Sequence, residues 1–93
     1  MEVQDKLLKA LGQRIRELRT ERGYSQEAFA DHCGVHRTFM GTVERGESNL
    51  SFSNLARIAE GLGLTLAQML SGVEKFAARF SEKTPSSTPK DRA

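Results

Sequence analysis

The sequence predicts an all-α domain: a compact bundle of five helices with a disordered C-terminal tail. Three observations lead there. Apolar residues return at three- and four-residue steps along most of the chain. Glycines and hydroxyl residues fall between those stretches, where helices need stops and caps. The composition of 38% hydrophobic residues, two prolines and no tryptophan suits a small helical core. Ninety-three residues suffice for one such core and not for two. The domain is placed at residues 5–81 and the tail at residues 82–93.

The first helix is expected over about residues 5–22, where Leu7, Leu8, Leu11, Ile15 and Leu18 form one stripe. Gly23 stops it. Ser25 is the natural N-cap of a second helix over about residues 26–33, with Gln26 and Glu27 in its first turn. Ala28 stands where a capping box would need Glu. Phe29, Ala30 and Cys33 are the inward residues, Gly34 breaks the helix, and Val35 points inward from the turn.

A third helix follows over about residues 37–45. At 100° per residue, Met40 and Val43 mark its buried side, with Phe39 and Glu44 on the flanks. Thr38, Gly41, Thr42 and Arg45 face the other way, with Arg37 at the margin. That outward face carries no large apolar group and is open to a polar partner. Gly46 ends the helix and "ESNLS" forms a loop. Ser51 caps a fourth helix over about residues 52–62, with Phe52, Leu55, Ile58, Ala59 and Leu62 turned to the core.

Gly63 stops the fourth helix and Thr65 caps a fifth segment. There Leu66, Leu70, Val73, Ala77 and Phe80 alternate steps of four and three, and Met69, Val73, Phe76 and Phe80 share the same side. This is a short heptad-like seam. Gly72 either interrupts that helix, at about 1 kcal/mol relative to Ala, or ends it and starts another. From Glu82 onward the large apolar residues vanish and both prolines appear, the composition of a disordered tail.

Composition excludes several classes. No apolar run approaches the roughly 20 residues of a membrane span, and "MEVQDKLLKA" lacks the apolar region of a signal peptide. A cytoplasmic protein is expected. Cys33 is the single cysteine, so no internal disulfide forms, and it reads as a small packed hydrophobe. A turn separates His32 and Cys33 from His36, and no carboxylate spacing supports a metal site. With no nucleophile–base pair, no glycine-rich phosphate loop and no metal set, the chain reads as a non-enzyme without a cofactor. Nor is there a second domain to form a pocket, so no small-molecule ligand is expected. Net charge is only +2, yet nine of the fourteen basic residues are Arg, the better residue for bidentate recognition.

Two helices joined tightly at Gly34 match the helix-turn-helix unit. Ala30 is small enough to let the third helix approach the second closely. The stretches "IRELRTERGYSQEAFA", "CGVHRTFMGTVERG" and "LARIAEGLGL" carry a closer resemblance. From about Ile15 to Leu70 the chain resembles a lambda-repressor-like (Cro/C1, XRE-type) DNA-binding domain. "HRTFMGTVERG" in particular resembles small stand-alone regulators such as the controller proteins of restriction–modification systems.

The resemblance implies a sequence-specific transcriptional regulator that places its third helix in the major groove of double-stranded DNA. It puts Arg37 where bases are read, its fork suited to guanine O6 and N7. Thr38 and Thr42 are candidates for a thymine methyl or a phosphate, and Arg45 shares their face. His36 stands where the family often has a Ser cap, and is expected to cap the helix or lie near a phosphate. Gln26 is implied to clamp a phosphate and buttress the third helix, and Asn49 and Ser51 to grip the backbone on the other side. These contacts position the reader without specifying sequence. The resemblance also implies an Arg19–Glu44 salt bridge between the first and third helices. One reader helix covers few base pairs, so a homodimer on a palindromic operator is expected. Its surface would be the seam of Leu66, Met69, Leu70, Val73, Phe76 and Phe80. The alternative is an antitoxin or protein-interaction adaptor built on the same fold.

Overall fold

The computed structural model describes residues 3–77 of the chain. Their elements are α1 (Val3–Glu21), α2 (Gln26–Cys33), α3 (Arg37–Glu44), α4 (Phe52–Leu62), α5 (Leu66–Leu70) and α6 (Val73–Ala77). Local chemistry sets the boundaries. Ser25 Oγ accepts the Ala28 N–H at 3.0 Å, and Ser51 Oγ accepts that of Asn54 at 3.1 Å. Thr65 forms a full capping box with Gln68. Each such cap is worth about 1 kcal/mol to its helix.

The apolar stripes meet in one core. Ile15 of α1, Phe29 of α2, Met40 of α3, Ile58 of α4 and Met69 of α5 are among its fully buried side chains. α1 runs across the bundle and touches α3, α5 and α6, while α2 packs on α3 and α4. Two crossings depend on a missing side chain. A Cβ on Gly12 would sit 2.5 Å from the Val43 carbonyl oxygen and 2.6 Å from that of Glu44. One on Gly61 would sit 2.5 Å from Cys33 Sγ.

Arginines close several helix ends, whose last carbonyls have no partner within the helix. Arg14 donates to the carbonyls of Met69 and Gln68 at 3.0 and 2.9 Å. Arg22 reaches the Leu62 carbonyl at 2.9 Å, and Arg57 the Gly34 carbonyl at 3.3 Å. A cation at these negative helix ends also meets a favourable dipole.

Of the two readings left open at Gly72, the second holds: it takes φ 82° between α5 and α6, a left-handed turn that suits a residue without Cβ, and the fifth segment is two short helices. The helix axis breaks there. Met69 and Val73 turn into their own core, Leu66 is half-buried against it, and Leu70 stays exposed. Phe52, expected in the core, is 73% exposed. Helical periodicity aligns it with Ala59, but it begins α4, and its side chain stays outside the core that Leu55 of the same turn packs against. The Phe76 side chain, Phe80, the boundary at residue 81 and the tail at residues 82–93 lie outside the described residues.

Candidate nucleic-acid interface

The turn between α2 and α3 is short because Gly34 reverses the chain at φ 75°. The Val35 N–H then bonds back to the Ala30 carbonyl at 3.0 Å, satisfying an end of α2. Only Val35 and His36 separate Gly34 from α3, so α2 braces α3 directly. Met40 and Val43 bury the underside of α3.

A polar clamp fixes its far end. Arg19 of α1 donates through Nε and Nη2 to the two Glu44 carboxylate oxygens at 2.7 and 2.9 Å. Its Nη1 reaches the Tyr24 carbonyl at 2.8 Å. The pair implied by the resemblance is thus present, bidentate, with both side chains at least nine-tenths removed from water. Gln26 Nε2 adds a third donor to Glu44, at 3.0 Å. Burying two charges costs desolvation that this geometry offsets, and the return is an α3 whose direction is set.

What remains exposed faces one open hollow of about 520 Å³, lined by Ser25, Gln26, Glu27, Arg37, Thr38, Gly41 and Arg45. Arg37 and Arg45 are exposed at its rim, and Thr38 between them is also exposed. Gly41 forms the floor: a Cβ there would lie 3.3 Å from Arg45 Nη1 and 3.4 Å from Gln26 Oε1. Each arginine is already held. Arg37 Nη1 donates to Glu27 at 2.6 Å, and Arg45 Nε to Glu47 at 3.1 Å.

The other candidates divide. His36 is the N-cap of α3, its Nδ1 accepting the Thr38 N–H at 3.2 Å. An acceptor Nδ1 carries no proton, which leaves Nε2–H as the ring's donor. Ser51 is exposed at the start of α4, and Asn49 is exposed with its Oδ1 held by Gln4 Nε2 at 2.6 Å. Thr42 departs from its expected outward place. It is half-buried, and its hydroxyl donates to the Phe39 carbonyl at 2.8 Å and bonds Ser48 Oγ. That hydroxyl is committed to α3 itself and to the loop after it.

Sequence reasoning missed Glu27 and Ser48 as partners of Arg37 and Thr42, and Gly12 as the close crossing beneath α3. Only Gly12 carried a signal, as a lone glycine inside a helical pattern. Cys33 ends α2, buried, and burial pushes its thiol up to about 11. His32 stacks on Tyr24 with ring centroids 5.0 Å apart.

A braced short helix over an open polar hollow defines the class of helix-turn-helix proteins. The helix-turn-helix domain family matches residues 10–71, and the chain belongs to it, in the XRE/Cro-type branch that includes restriction–modification controller proteins. Control protein C.MunI of Mycoplasma is 40% identical over 65 residues, covering 69% of this chain and 88% of that protein. The crystal structure of the controller protein C.AhdI from Aeromonas hydrophila is 42% identical, with a TM-score of 0.65. That likeness covers 67% of this chain and 94% of that one. The clp gene regulator ClgR from Corynebacterium glutamicum is 27% identical, with a TM-score of 0.74 over 81% of this chain and 80% of its own. Among the described residues, no helix is long and apolar enough to cross a membrane.

Proposed function

We propose that this chain is a sequence-specific transcriptional regulator of the cytoplasm that binds a palindromic operator as a homodimer, with α3 of each protomer in the major groove. One observation carries the reading: α3 is anchored by the buried Arg19–Glu44 pair while Arg37, Thr38 and Arg45 stay exposed around the hollow. The relatives that are named as control proteins and gene regulators support the regulatory half of the reading.

Arg37 reads a guanine, since its fork matches O6 and N7. Thr38 and Arg45 complete the face. The α2 N-terminus, with Gln26, and the α4 N-terminus, with Ser51 and Asn49, take flanking phosphates, as helix N-termini favour anions. The second protomer docks at a separate apolar hollow of about 320 Å³ lined by Leu7, Leu8, Leu11, Leu70, Val73 and Glu74. Two reader helices then address half-sites about 34 Å apart.

Selection of genomic fragments with the purified chain tests this. The expected result is one enriched palindrome whose binding weakens steeply with salt. Arg37→Ala then loses about tenfold or more of the preference at one base pair per half-site. Unchanged preference in that variant overturns the base-reading assignment.

A further inference from the structure

We infer that Glu27 is a specificity-determining positioning residue, which holds Arg37 for base reading and keeps it from the phosphate backbone. This rests on the operator-binding reading above. Glu27 lies in the first turn of α2, Arg37 in the first turn of α3, and both line the same hollow. Their side chains are about two-thirds exposed, yet Glu27 Oε2 stands 2.6 Å from Arg37 Nη1. Helix packing produces the contact, because nine residues of chain, the whole turn among them, lie between the two.

Three physical features give the pair a role beyond a surface contact. Arg37 begins α3, where the helix dipole disfavours a cation, and Glu27 offsets that penalty. A free arginine samples many rotamers, whereas one tied at Nη1 has Nε–H and Nη2–H left to meet an O6/N7 pair. Finally, the hollow sits at the N-terminus of α2, a natural phosphate site. Glu27 occupies the Arg37 nitrogen that a phosphate would otherwise take, so the backbone phosphate stays with Gln26 and the α2 amides and Arg37 is kept from a contact that carries no sequence information. Glu27 therefore lowers affinity for all DNA and sharpens discrimination, which is a difference of affinities.

The test compares wild type, Glu27→Gln and Asp31→Asn, with Arg37→Ala as reference. Asp31 lies one turn along α2, exposed and outside the hollow, so Asp31→Asn removes the same charge without touching Arg37. Each variant is titrated against the selected palindrome, the same duplex changed at the base pair read by Arg37, and a random duplex. Glu27→Gln is expected to bind the random duplex several-fold more tightly. Its preference at the Arg37-dependent pair should fall about threefold to tenfold. Asp31→Asn is expected to keep the wild-type preference. Thermal melting verifies that Glu27→Gln is folded, as an exposed pair contributes little to stability.

If Glu27→Gln and Asp31→Asn tighten binding equally and both keep the preference, Glu27 is bulk charge and the inference fails, while the operator reading stands. A wild-type chain that prefers no sequence sinks both.

Discussion

Arg19 and Cys33 are two polar side chains withdrawn from water, and their environments are opposite. Arg19 is fully occupied, by Glu44 through two nitrogens and by the Tyr24 carbonyl through the third. Cys33 has apolar neighbours and no charge to favour its thiolate, so burial raises its pKa from 9.0 to about 11. In the unfolded chain the thiol ionises first, so between about pH 9 and pH 11 the unfolded state binds fewer protons than the folded one. Stability therefore falls with rising pH across that window, by at most about 2 kcal/mol. Urea unfolding at pH 8 and pH 10.5 checks this against Cys33→Ala. The variant should lose this part of the pH slope, although its own cavity lowers stability at both values. Equal slopes would place the thiol in an ordinary environment. At this scale the Arg19–Glu44 pair was legible, because helical angles set Glu44 at the edge of the buried face and the family resemblance supplied its partner. Glu27–Arg37 was not, since the crossing of α2 and α3 decides it and no sequence spacing encodes that angle.

Helix limits were the most readable feature of the elements, because caps are local. Ser25, Ser51 and Thr65 begin α2, α4 and α5, and each accepts the amide bond its position requires. Faces were less readable where an element ends or breaks. Phe52 follows the apolar period of α4 but starts the helix, and for the Leu66–Phe80 seam periodicity left open whether one axis runs through Gly72. Periodicity says which residues share a side; it does not say whether a neighbour covers that side. Glycines make the same distinction testable. At Gly12 a methyl group would press on two backbone carbonyls of α3, which cannot yield without moving the helix. At Gly41 it would meet only the ends of Arg45 and Gln26, which can turn aside. Gly12→Ala should cost about 1–3 kcal/mol despite the better helix propensity of Ala. Gly41→Ala should be neutral or stabilising by up to about 1 kcal/mol. Denaturant midpoints of the two variants decide it, and a stable Gly12→Ala would show that α1 and α3 are loosely apposed.

For the molecule as a whole, the disposition of its arginines explains how a net charge of +2 fits a DNA-binding role. Arg14, Arg22 and Arg57 close helix ends, and Arg19 is buried on Glu44. At the reader face Arg37 and Arg45 are matched by Glu27 and Glu47. One protomer thus brings modest attraction for the backbone, and under the proposed reading two copies acting together supply the affinity. Linked binding raises overall affinity by orders of magnitude without any new contact. The apolar hollow around Leu70 shares no residue with the hollow at α3, and Leu70 is exposed enough that the fold does not depend on it. Leu70→Arg should accordingly melt within a few degrees of wild type, because an exposed substitution costs about 0.5 kcal/mol. Sedimentation at micromolar concentration should find it monomeric, with palindrome affinity lowered about tenfold or more and single half-site affinity unchanged. Arg37→Ala makes the counterpart, a dimer that has lost its reading. A Leu70→Arg chain that still sediments as a dimer would move the second copy to another face, and the two-copy logic would then need a surface other than α5 and α6.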